Sequence, residues 1–272
     1  MEMIDLSRLE PQETLNHTSK GNQLKWKCYG YWYKADHMGY EGLAETIVSA
    51  LLDKSTVKYP FVAYEYSQIK YKDRVYSGCK SADFLADGYD LIPLEKLYRK
   101  FTGGSLAVDT AHQGEIKNQI KFLVNFVEQT TGLQNFGQYL TSMLEIDAFF
   151  LNEDRHTNNI AVQYNAADNT YALCPLFDNG FSLFADTNMD FPLERSLEDC
   201  LKAVEAKPFS RYFDEQLDAA EELYGIQLHF NFSTNDVKAR IDSYRTAYSQ
   251  EICDRCEALI RRHMRHYGYL VQ

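Results

Sequence analysis

The chain has 272 residues, 45% hydrophobic and 25% charged, a balance that builds a substantial core and fits one two-lobed domain or two small ones. A net charge of -11 argues against a broad electrostatic grip on nucleic acid, which needs clustered Lys and Arg, and no run approaches the roughly 20 apolar residues that span a bilayer. The acidic start MEMIDLSRLEPQ does not read as a signal peptide, and six scattered cysteines suit a reducing compartment, so a cytoplasmic protein without a membrane partner is expected.

The first ninety residues read as strands around one helix. LKWKCYGYWYKA (24–35) alternates and is rich in aromatics, and FVAYEYSQIKY (61–71) and RVYSGC (74–79) are further strands. Between the first two lies a helix over about 40–52, with Leu43, Ile47 and Leu51 on one stripe and Glu41 and Glu45 on another. After Pro93 the pattern turns helical. Ile116, Ile120, Leu123 and Val127 predict one helix ending near Gly132, and Phe136, Leu140, Leu144 and Ala148 predict a second that leads to Asn152. IAVQYNAADNTYALCPLF (160–177) reads as two short strands joined by a turn at 166–169. SLED (196–199) suits a helix start, with Pro208 as its limit, and a further helix runs through Phe213 and Leu217. Val237, Ile241, Tyr244, Tyr248, Ile252 and Leu259 predict one continuous helix with a basic end. Cys253 and Cys256 have metal-like spacing, but they fall inside that helix and are expected to be structural.

Three polar residues carry the chemistry. Asp154 and Asn159 lie five apart in LNEDRHTNNIAV, and Asp178 follows Asn159 by nineteen residues in LFDNG. Phosphoryl transfer needs a carboxylate to take or orient the proton of an attacking hydroxyl, and an amide and a second carboxylate to hold magnesium against nucleotide phosphates. These spacings supply all three, with Asp154 as base and Asn159 and Asp178 as metal ligands. Lys34 ends an alternating strand just before an acidic helix, the order in which kinases place a phosphate-contacting lysine and its carboxylate partner. Glu45 and Glu41 compete for that partnership, because both project from one helix face.

The pattern Asn152-x-Asp154-x-His156-x-x-Asn159, with Asp178 downstream, resembles the catalytic loop of HipA-type bacterial serine/threonine kinases. TSKGNQLKWK (18–27) is similar to their phosphate loop, and YWYKAD and YEGLAE to the strand lysine and helix glutamate of their amino lobe. The resemblance covers most of the chain and implies an α+β fold of the two-lobed protein-kinase kind. A small β-rich amino lobe (about 1–80) and a helical carboxyl lobe (about 81–272) would form a single kinase-like domain. With only about seventeen residues before Thr18, it would be a short kinase core. The implied activity is ATP- and magnesium-dependent phosphorylation of a serine or threonine of a protein substrate. The same spacing serves a small-molecule kinase of the aminoglycoside or choline kind, or a nucleotide-binding pseudokinase. Ser19, Lys20 and Gly21 would cradle phosphate, and Ser19 or Thr18 would be an autophosphorylation site. The adenine would rest against the backbone of 78–81, including Cys79 and Lys80, with Trp32 bulky beside it. His156, counted with the nucleotide-side residues, either holds the loop in shape or takes part in proton transfer. Kinases of this type also suggest a toxin–antitoxin setting with a small DNA-binding antitoxin-like partner, without direct nucleic-acid binding by this chain.

Overall fold

The strongly alternating segments near the amino terminus assemble into one sheet in the computed structural model, which describes residues 3–12 and 23–272. Its strands are β1 (Met3–Asp5), β2 (Lys25–Cys28), β3 (Tyr31–Ala35), β4 (Glu65–Tyr71) and β5 (Arg74–Ala82), in the order β1-β4-β5-β3-β2. β1 pairs parallel with β4 and the other neighbours pair antiparallel. The aromatic run 24–35 is two strands and not one. Tyr29 and Gly30 have φ of 52° and 78°, left-handed values that fold the run back on itself as a tight hairpin. Trp26, Tyr33, Ile69 and Tyr71 are buried together with Leu6 on the outer face of the sheet.

Helix α1 (Glu41–Leu52) packs across β5 and β4, and its apolar stripe of Leu43, Ile47 and Leu51 is fully buried. Its acidic face is buried as well: Glu41 and Glu45 are each 1% exposed, because the helix is enclosed between the sheet and the second lobe. Two glycines permit this closeness. A Cβ on Gly42 would lie 2.6 Å from the Gly78 backbone, and one on Gly78 would lie 2.1 Å from the Lys34 carbonyl oxygen.

β5 leads through residues 83–88 to β6 (Tyr89–Pro93), a strand the helical reading after Pro93 had left inside the connection. β6 pairs with β7 (Ala161–Asn165), and β7 with β8 (Thr170–Leu173), as a three-stranded sheet. Helices α2 (Leu94–Thr102), α3 (Leu106–Ala111), α4 (Ile116–Thr131) and α5 (Phe136–Phe150) follow β6. Gly132, at φ 73°, stops α4 where its periodicity predicts. All but one residue of α5 is buried, since α4, α7 (Phe213–Tyr224) and α9 (Gln250–His266) surround it.

Ser196 caps α6 (Leu197–Ala203) by accepting the Asp199 N–H, but this helix ends at Ala203, short of Pro208. The expected long final helix is broken into α8 (Thr234–Asp242) and α9. The break places Tyr244 and Tyr248 against Tyr66 of the sheet, at ring separations of 6.5 and 5.8 Å, and the Tyr248 hydroxyl donates to Asp36 at 2.8 Å. Contacts to the amino lobe thus override local helix periodicity. Cys253 and Cys256 face the core of the carboxyl lobe, and His263 hydrogen-bonds the Phe149 carbonyl through Nδ1 at 2.8 Å. No described helix is long and apolar enough to cross a membrane.

Candidate active site

The site lies where the two lobes meet, and α5 delivers one half of it. Leu151 closes the helix in the left-handed region at φ 55°, so the chain turns sharply into the loop 152–159. Within the loop the Asn159 amide donates to the Asp154 backbone carbonyl at 2.8 Å and to its Oδ2 at 3.2 Å. The Asn152 side-chain oxygen accepts the Asp154 N–H at 3.3 Å. His156 Nδ1 accepts the Asn158 N–H at 3.2 Å, which leaves its Nε2 facing Asp154 Oδ1 at 3.7 Å. Its Nδ1 is thus engaged within the loop, and His156 is not among the residues that line the cleft.

Beneath the loop is a residue that the sequence reading had not used, Asp147 of α5. Its carboxylate is fully buried and receives Arg155 through two contacts, Nε to Oδ2 at 2.9 Å and Nη2 to Oδ1 at 3.0 Å. The remaining donors of Arg155 reach the Asn159 and Phe177 carbonyls and the Asn179 side-chain oxygen at 2.9–3.1 Å. The Asn152 amide joins Asp147 Oδ1 at 2.9 Å and the Asp178 carbonyl at 3.3 Å. One buried ion pair thus holds the loop 154–159 in register with the loop 177–179. An acid inside the otherwise apolar run IDAFF (146–150) is the available sequence signal for it.

The amino lobe supplies the other half. Lys34 Nζ lies 2.6 Å from Glu45 Oε1 and 2.9 Å from Asp178 Oδ1, with the Tyr64 hydroxyl at 3.4 Å. Glu45 Oε2 accepts the Asn179 N–H at 2.9 Å, which closes a ring across the lobes. Glu41 is not the partner of the lysine. Its carboxylate accepts the backbone N–H groups of His37, Met38 and Gly39 at 2.7–3.3 Å, one turn too early on α1 to reach Lys34. Burial opposes the charge of Lys34, but Asp178 and Glu45 outweigh it and hold the ammonium well above its usual range. Burial likewise opposes the charge of Asp178, and Lys34, Lys25 and Arg155 keep that carboxyl well below the usual carboxylate range. Asp178 itself sits at φ 63°, a left-handed backbone of the kind that accompanies functional sites.

In front of this ring is a cleft of about 170 Å³, lined by Lys25, Trp32, Tyr64, Phe84, Leu91 and Phe177 among others. Register explains which side chains face it: Lys25, Lys34 and Cys79 are cross-strand partners on one face, whereas Lys80 pairs with Tyr33 on the other. Cys79 lies beneath the cleft with Val62 and Tyr64, against Phe84 and Phe177. Lys80 points away, to Glu65 at 3.3 Å and over the Tyr31 ring. Within 78–81, Gly78, Cys79 and Lys80 are paired to β3 and β4 on both sides, whereas Ser81 pairs with β3 alone and lines the cleft. Beyond Ser81 the connection after β5, residues 83–85, continues the border of the cleft, and Asp83 accepts the Trp32 indole N–H at 3.2 Å. Trp32 is thereby held at the rim of the cleft. Thr18, Ser19, Lys20 and Gly21 lie outside the described residues.

Asn159 and Asp178 present amide and carboxylate oxygens, the hard donors that magnesium takes; the Asn159 carbonyl accepts from Arg155 and the Asp178 carbonyl from Asn152. A second group, Glu153, Asp186 and Asp190, brings one oxygen from each residue to within 4.8 Å of the others.

A five-stranded lobe with one enclosed helix, joined by a short connection to a helical lobe, is the two-lobed protein-kinase-like fold, of mixed α+β class. No protein-family model matches the chain, and no curated protein matches it in sequence. Among solved structures, its fold is similar to the crystal structure of a Helicobacter pylori proinflammatory kinase, CtkA, with a TM-score of 0.64 at 15% identity, covering 97% of this chain and 95% of that one.

Proposed function

We propose that this chain is an ATP- and magnesium-dependent kinase of HipA type that phosphorylates a serine or threonine of a protein. The observation that carries the reading is the bridge from Lys34 to both Glu45 and Asp178, facing a loop in which Asn159 holds Asp154. Magnesium bound with ATP would neutralise phosphate charge and fix the terminal phosphoryl group for in-line attack. Asn159 and Asp178 would hold that ion, and Lys34 would contact the phosphates nearer the nucleoside, fixed in place by Glu45. The adenine would enter the cleft between Trp32 and the Phe84–Phe177 pair, whose rings are 5.7 Å apart. Asp154 would accept the proton of the substrate hydroxyl as its oxygen bonds to the γ-phosphorus. The bond from that phosphorus to the β,γ-bridging oxygen then breaks and ADP leaves. The kinase neighbour and the filled catalytic positions support this reading. The HipA-type motif supports the choice of protein hydroxyl and of an antitoxin-like partner.

The test is incubation of wild type and Asp154→Ala with γ-labelled ATP and magnesium, alone and with a bacterial lysate. Label on serine or threonine of protein with the wild type only is expected. Label in a small molecule would replace the protein substrate by a metabolite, and nucleotide binding without any transfer would make the chain a pseudokinase.

A further inference from the structure

Both oxygens of Asp154 are engaged, and one of them by a residue far along the chain. Oδ2 accepts from Asn159, whereas Oδ1 faces His156 and lies 3.3 Å from Lys207 Nζ. The carboxylate is only 6% exposed, while the lysine side chain is 39% exposed, so the ammonium reaches inward from a partly exposed side chain to a largely buried base.

Its backbone is tied down. Gln216 of α7 is fully buried, and its Nε2 donates to the Lys207 carbonyl at 3.0 Å while its Oε1 accepts the Phe209 N–H at 3.3 Å. The Ala206 N–H donates to the Arg211 carbonyl at 2.9 Å and closes the same turn. A surface ion pair needs no such support.

Of the other cations of the site, Lys25 lines the cleft as the cross-strand partner of Lys34, and two more are ion-paired. Lys34 lies between Glu45 and Asp178, and Arg155 is locked to Asp147 under the loop. The loop 152–159 contains no lysine. An ammonium resting on Oδ1 also competes with a substrate hydroxyl for that oxygen. The group that must lie in line with that hydroxyl is the phosphoryl being transferred, an anion that attracts an ammonium.

Resting on the kinase reading above, we propose that Lys207 is the cation that binds the γ-phosphoryl group, moving from Asp154 Oδ1 to the equatorial phosphoryl oxygens and freeing Asp154 to take the hydroxyl proton. It thereby opposes the negative charge on those oxygens as transfer proceeds.

The experiment compares binding of magnesium with a non-hydrolysable ATP analogue and of magnesium with ADP, in wild type, Lys207→Ala and Lys207→Arg, followed by transfer from labelled ATP. Lys207→Ala is expected to weaken the analogue about tenfold while ADP binding stays within about twofold, since only the analogue carries the third phosphoryl group. Its kcat should fall about 100-fold or more, and Lys207→Arg should restore a large part of both. Gln216→Leu, which leaves the ammonium but removes the clamp on its backbone, should reproduce the loss for the analogue in weaker form. Unchanged discrimination between analogue and ADP in Lys207→Ala would overturn the proposal while leaving the kinase reading intact. Failure of the wild type to bind either nucleotide would overturn both.

Discussion

Removing Asp147 tests whether the buried ion pair organises the site. Arg155 is 2% exposed, and in Asp147→Ala its guanidinium loses two of its five hydrogen bonds, both to the carboxylate it is ion-paired with. Three neutral acceptors remain, the Asn159 and Phe177 carbonyls and the Asn179 side chain. Breaking a buried pair from one side costs about 3–5 kcal/mol, because the surviving charge is left uncompensated. Arg155→Leu is expected to cost about as much at pH 8, stranding the carboxylate and two carbonyls, but less at pH 5, where Asp147 can neutralise itself by taking a proton. In the double variant Asp147→Leu/Arg155→Leu no charge remains, so its cost should fall at least about 2 kcal/mol below the sum of the singles. Urea unfolding at constant m-value reads all three. Single-variant costs below about 1 kcal/mol that simply add would refute the idea that this pair holds the two loops together.

Other outcomes follow from the same geometry. Lys34→Met should weaken magnesium–ATP binding at least about tenfold in a fluorescent-nucleotide titration, and should also lower Tm, because Glu45 and Asp178 then lose the ammonium that bridges them; Glu41→Gln should leave nucleotide affinity nearly unchanged. Burial pulls the His263 imidazole down to about 4 from 6.5, against the hydrogen bond to Phe149, so the folded state disfavours its proton. That stability is present above pH 6.5 and is lost as pH falls toward 4, by up to about 3 kcal/mol, and His263→Asn should flatten the difference measured between pH 7 and pH 4.5. Gly42→Ala should cost about 2 kcal/mol or more in thermal unfolding, since its Cβ meets the Gly78 backbone at 2.6 Å, whereas Gly180→Ala, whose Cβ meets Glu41 Cβ at 3.4 Å, should be tolerated.

How far the sequence could be read depended on the distance over which each constraint acts. Asp154 and Asn159 were legible because one loop must supply both, and the structure joins them by the Asn159 amide. α4 and α5 were legible because a single apolar period runs through each to a left-handed stop at Gly132 or Leu151. Glu41 and Glu45 were indistinguishable, being one turn apart on one face; only the folding back of residues 37–39 over Glu41 separates them. The Tyr29–Gly30 turn was hidden inside an unbroken alternation, and the break between α8 and α9 inside an unbroken helical period, since a partner in the other lobe decides it. That Gly78, Cys79 and Lys80 are paired on both sides while Ser81 reaches the cleft depends on strand order, which is not written in local pattern. Lys207 approaches Asp154 across 53 residues, a separation with no signature in spacing at all.

The most direct test of the site is a crystal structure of the protein with magnesium and a non-hydrolysable ATP analogue. Magnesium should lie about 2.1 Å from a side-chain oxygen of both Asn159 and Asp178, with Lys34 on the phosphates and the adenine against Phe84 and Phe177. A metal held instead by Glu153, Asp186 and Asp190, or a nucleotide outside the cleft, would contradict it.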